Sequence, residues 1–153
     1  MTEIIRGVSF TAEYRVNLLK VIFEQINVKE FMWVNVLSQN EVWKNIHGGT
    51  AIDQEFYNGE DFLSMINSEY WIIFLKLQAY HILGLHTDIH SYQDFINSDC
   101  MLVCLIADSK YVQIYAKDQT MIRILYERAM ANGFTEIKYL LDNNDTRWKL
   151  DVV

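Results

Sequence analysis

The stretch HTDIH, residues 86 to 90, alternates three residues able to bind a metal: His86, Asp88 and His90. Neutral imidazole nitrogen and carboxylate oxygen suit zinc, and two histidines with one carboxylate also serve iron; catalytic zinc further needs an open fourth position. His81 lies just upstream, so three of the four histidines fall within ten residues. On an extended segment the three ligands share one side. Alternate strand residues stand about 6.6 to 6.8 Å apart, however, so convergence on one ion needs a bend or a further ligand from Glu69, Asp94, Asp99 or His81. The local chemistry favours another role. Asp88 and Ser91 are residues of turns and helix starts, which leaves His86 and His90 as surface side chains at the entry to SYQDFI.

Other sets of reactive residues are weaker. In DNNDTR, Asp142 and Asp145 offer oxygens to a cation, but the central Gly and later Glu of a calcium loop are missing, and Asn and Asp account for a turn directly. Cys100 and Cys104 lie in an apolar run and read as reduced, buried thiols rather than a disulfide framework or redox pair. Gly48 and Gly49 mark a bend beside His47; no Lys followed by Ser or Thr makes them a phosphate loop. No local context joins a nucleophile, base and acid.

Charge is the stronger signal. The net charge of the 153-residue chain is −7. Residues 1–50 and 101–153 each balance, whereas residues 51–100 hold eight acids and one base, Lys76. This middle third is expected to form an acidic face able to meet a basic protein partner, with Glu60, Asp61, Glu69 and Asp94 as contact residues. Nucleic-acid backbone binding, which needs local positive potential, is not expected. MTEIIRGVSF lacks the pattern of a secretory signal, and the strongest apolar run, YWIIFLKLQAY, is broken by Lys76 and Gln78. A cytoplasmic protein without a membrane segment is expected, and no cofactor is called for. The oligomeric state is left open.

The elements that must position these residues follow from periodicity. Residues 3–10 read as a strand, with Gly7 marking a bulge or a close backbone approach. Residues 11–27 read as a helix capped by Thr11, with Tyr14, Leu18, Leu19, Ile22, Phe23 and Ile26 as its apolar stripe. Strands are expected over 30–37 and 41–46, then a short helix over GEDFLSMI capped by Asn58. YWIIFLKLQAYHI should be a long strand, half-exposed near its end where Leu75, Leu77 and Ala79 alternate with Lys76 and Gln78. SYQDFI opens a helix through Ser91 and Asp94. CMLVCLI should be a central strand buried on both faces, forming a hairpin with 111–117. Asp118 caps a helix over 119–132 that Gly133 ends. FTEIKYL, the DNND turn and TRWKLDVV read as strand, turn and strand, with Thr146, Trp148, Leu150 and Val152 opposite Arg147, Lys149 and Asp151.

The expected product is one α+β domain over residues 1–153: a single mixed, largely antiparallel sheet with three or four packed helices. RGVSF, NSDC before an apolar strand, DSKYVQIYAK, NGF and DNNDTRWKL resemble a bacterial family of small single-domain proteins of unknown function. The resemblance spans nearly the full chain and implies a compact domain, without functional residues to carry over. A noncatalytic interaction or regulatory domain is the leading expectation. The alternative is a small metal-dependent enzyme using the segment 81–90.

Overall fold

Two apolar runs, WIIFLKLQAY and LVCLIA, become neighbouring strands at the centre of one sheet. The computed structural model describes residues 4–13, 16–45, 47–82 and 84–152. In chain order the elements are β1 (Gly7–Thr11), α1 (Leu18–Ile22), β2 (Met32–Asn35), β3 (Glu41–Asn45), β4 (Gly48–Thr50), β5 (Phe56–Tyr57), α2 (Gly59–Ile66), β6 (Trp71–Tyr80), α3 (Tyr92–Ile96), β7 (Leu102–Ala107), β8 (Tyr111–Ala116), α4 (Gln119–Ala131) and β9 (Thr135–Leu140). The fold is α+β, and the described strand pairings are antiparallel.

The strand order is β4-β3-β6-β7-β8-β1-β9. The ten-residue β6 is long enough to pair twice along one edge, with β3 near its start and β2 near its end, while β7 takes the other edge. β5 continues the sheet from β2.

Alternation sorts the side chains onto two faces. One carries Val8, Phe10, Leu75, Leu77, Cys104, Ile106, Val112 and Ile114, and it packs against the apolar sides of α1, α2 and α4. Within this larger core the rings of Trp33 and Phe62 stack at 3.9 Å and 5°. The other face carries Val103, Leu105, Tyr115 and Leu140, and is covered by Ile89, Phe95 of α3 and Leu150 of the C-terminal segment.

Capping chemistry acts where the sequence places it. Asn58 accepts from the Asp61 N–H, Ser91 from the Asp94 N–H, and Asp118 from the N–H groups of Thr120 and Met121. Gly133, at φ 72°, follows the end of α4. Gly7 does mark a close approach: a Cβ there would stand 2.0 Å from the Ile114 carbonyl oxygen.

Three expectations change. Thr11 does not cap a helix; it ends β1, paired with Tyr111 and Thr135, because two ladder partners satisfy its backbone better than a cap would. The helix expected over 11–27 shrinks to Leu18–Ile22, preceded by Asn17 in left-handed geometry at φ 62°. Leu18, Leu19, Ile22 and Phe23 are nevertheless buried as the stripe requires, while Tyr14 lies outside the described residues.

The second change concerns β6. Lys76 and Gln78 are 1% and 3% exposed, so its end is buried on both faces rather than half-exposed. A strand placed beside β7 is central, and the second face is roofed by α3 and the chain end. Third, residues 146–152 form no strand. Trp148 is 80% exposed while Leu150 and the Asp151 side chain both turn inward, which breaks the two-residue alternation. The segment crosses the second face as a strap, held by Leu150 N–H donating to the His90 carbonyl at 2.9 Å.

Candidate functional site

The acidic residues of the middle third divide between the two sides of the sheet. Asp53, Asp61 and Glu69 line one open groove of about 820 Å3 between α2, the residues before β5 and the β3–β4 hairpin. All three are exposed. Lys44 is the cation in that lining, and Tyr57, Met65 and Ile52 add apolar surface. The walls are fixed from below: buried Asn35 donates through Nδ2 to the carbonyls of Ile52 and Gln54, at 2.8 and 3.1 Å. The Asn58 cap fixes the start of α2, and Phe62 and Ile66 anchor the helix in the core. Glu60 stands outside the groove, 3.9 Å from Lys29. Asp94 is elsewhere; on α3 at the second face, it accepts from the His90 N–H at 3.0 Å. Of the four residues expected to form one contact surface, Asp61 and Glu69 come together.

The histidines part in the same way. His86 packs edge-on to Phe56 at 5.0 Å and shares with Asp88 a small cleft of about 280 Å3. His90 instead places Nδ1 3.2 Å from Asp151 of the strap. His81 stacks on Phe31 at 5.2 Å. Among the described residues no group of three or more His, Cys, Asp and Glu is arranged to hold a metal ion. The helix entry is organised by Ser91, which caps α3, and by the Asp94 carboxylate, which closes back on His90, while Asp88 lines the His86 cleft.

Among the described residues, the most buried ionic group is the pair of Lys76 with Asp151. Lys76 Nζ donates to Asp151 Oδ1 at 2.7 Å and to the Ile89 carbonyl, with the two side chains 1% and 4% exposed. Gln39 donates to the same carboxylate at 2.7 Å and accepts from the Val152 N–H at 2.8 Å. Burial works to raise the Asp151 pKa, but the hydrogen bonds from Lys76 and Gln39, the Lys76 charge and the contact with His90 outweigh it and hold the carboxyl below its ordinary value. The cluster ties the strap to β6. Its signal in the sequence is the lone lysine inside WIIFLKLQAY: a cation on a strand beside a fully apolar neighbour needs a buried counter-charge.

DNNDTR is a turn. Asn144 accepts from the Leu141 N–H and donates to the Tyr139 carbonyl, while Asp145 takes the Tyr115 hydroxyl at 3.0 Å. Arg6 pairs with Asp142 at 2.7 Å and with Asp145 at 3.4 Å, and its guanidinium lies 4.1 Å from the Tyr92 ring centroid. Cys100 and Cys104 are free, buried thiols, pushed up by burial to about 11 and about 12, which keeps them protonated and weakly nucleophilic near neutral pH. No described helix is long and apolar enough to cross a membrane.

Residues 5–151 match the model of a family described as Protein of unknown function (DUF2691). The chain is 31% identical over 155 residues to the Uncharacterized protein YncE of Bacillus subtilis (strain 168), covering 96% of this chain and 99% of that relative. No solved structure matches it.

Proposed function

The chain belongs to the DUF2691 family, a bacterial family of unknown function, and for it we propose a noncatalytic interaction role in which the groove beside α2 receives a basic segment of a partner protein. The observation that carries the reading is the convergence of Asp53, Asp61 and Glu69 on one groove in which Lys44 is the cation. Three exposed carboxylates against one ammonium attract a Lys- or Arg-bearing segment and speed its encounter, while Tyr57, Met65 and Ile52 supply contact for the stem of a basic side chain. Asp94, on the opposite side of the sheet, falls outside this surface. The reduced, buried thiols fit a reducing compartment, and the reading places the protein in the cytoplasm.

The test is retention of a basic protein from native lysate on the immobilised chain, read against ionic strength. Asp61→Asn with Glu69→Gln should weaken retention and flatten its salt dependence, whereas Asp94→Asn should leave both as they are. The Asn58 cap accepts from the backbone of residue 61, so the first variant keeps the helix start. Equal retention by both variants rejects the groove. Metal chemistry at 81–90 is the competing reading; it would be carried by a stoichiometric transition metal that is lost on replacing His86 and His90.

A further inference from the structure

The second face of the sheet is roofed at Val103, Tyr115 and Leu140 but opens further along β8, β1 and β9, at Gln113, Ser9 and Lys138. There it carries a groove of about 670 Å3, within the range of small-molecule sites. Its floor is a row of cross-strand neighbours: Leu105 pairs with Gln113, Gln113 with Ser9, and Ser9 with Lys138. Partners opposite one another in antiparallel strands point to the same side, so these four side chains stand in line across four strands. Arg147 and Val152 of the strap and Glu136 of β9 also line it.

Each position brings a distinct chemistry. Lys138 and Arg147 are cations. Glu136, the carboxylate of the lining, is taken by the Thr11 hydroxyl at 3.0 Å. Gln113 Oε1 is buried and has no hydrogen-bond partner, although an amide oxygen out of contact with water costs stability until a donor reaches it. Leu105 and Val152 supply apolar surface. An anion, an N–H or O–H donor and a short apolar body are the complement of this row.

We propose that the groove binds a small amphiphilic carboxylate bearing an N–H donor, its charged end against Lys138 and Arg147 and its donor meeting Gln113 Oε1. The site lies on the opposite face of the sheet from the α2 groove, so each can fail without the other.

Three probes separate the contributions: N-acetyl-L-leucine has charge, donor and apolar chain; 4-methylpentanoate lacks the donor; N-acetyl-L-leucine amide lacks the charge. Binding is read as saturable amide shift changes in two-dimensional nuclear magnetic resonance. N-acetyl-L-leucine should shift amides of β1, β8, β9 and residue 147, and bind about tenfold or more tightly than either truncated probe. Lys138→Met should weaken its binding toward the level of N-acetyl-L-leucine amide, and Gln113→Leu should bring it down to the level of 4-methylpentanoate. Lys138 is exposed, and Arg147 is left intact because its Nη1 holds the carbonyls of Lys149 and Asp151, so a melting temperature no lower than that of the native chain shows that the variants fold. Absence of saturable shifts at about 10 mM N-acetyl-L-leucine, or shifts that Lys138→Met leaves unaltered, overturns the assignment.

Discussion

Lys76 and Asp151, 75 positions apart in the chain, meet as a 2.7 Å ion pair beneath the C-terminal strap, both side chains almost completely removed from water. The pair joins the middle of the sheet to the last residues of the fold. Breaking it from one side leaves a buried charge, a more costly state than having no charges at all. Lys76→Met alone is expected to lower unfolding free energy by about 3 kcal/mol, since Gln39 continues to donate to Asp151. Asp151→Leu alone should cost at least as much, because Lys76 then keeps only the Ile89 carbonyl. The double variant should recover a large part of either loss. Urea denaturation of the three variants checks this; additive losses would show that the two residues do not act as a pair.

The same pair has a defined pH dependence. The Asp151 carboxyl titrates below its ordinary 3.8 in the folded chain, so the folded state binds this proton less readily than the unfolded one. Its stabilisation is therefore complete above the ordinary carboxylate range and is lost as pH falls below about 4. The difference in urea midpoint between the native chain and Asp151→Asn should shrink as pH falls below about 4. A difference that instead grows below about pH 4 would contradict the assigned direction.

Gly7 makes a separate test of the sheet. A methyl group there meets the Ile114 carbonyl oxygen at 2.0 Å, and the backbone of β8, paired on both edges with β7 and β1, cannot move aside as a flexible side chain can. Gly7→Ala should destabilise by about 2–3 kcal/mol. Gly133→Ala meets nothing within 4 Å and is penalised only for its φ of 72°, so it should cost less, about 1 kcal/mol. Thermal melts of the two variants rank them directly.

Local chemistry was readable wherever the determining partners lie within a few residues. Asn58, Ser91 and Asp118 cap their helices because a short polar side chain reaches an N–H group two or three positions on, and GEDFLSMI forms a helix with the expected bounds for the same reason. CMLVCLI had to be central, since a run apolar on both sides can be covered only on both sides. The sequence also placed the excess acid in the middle third, where Lys76 is its one base.

Which acids share a surface was a tertiary outcome: Asp61 and Glu69 converge on one groove while Asp94 is carried to the opposite face, because β6 passes between their helices. The same holds for Thr11, whose two strand partners are about 100 residues or more away in sequence and override its capping preference. For HTDIH, alternation fixed only the spacing. Its histidines part because Phe56 packs against one and Asp151 against the other, partners supplied by β5 and the final strap. Lys76 looked solvent-facing by period, and only the strap crossing above it decided that the charge is buried and paired.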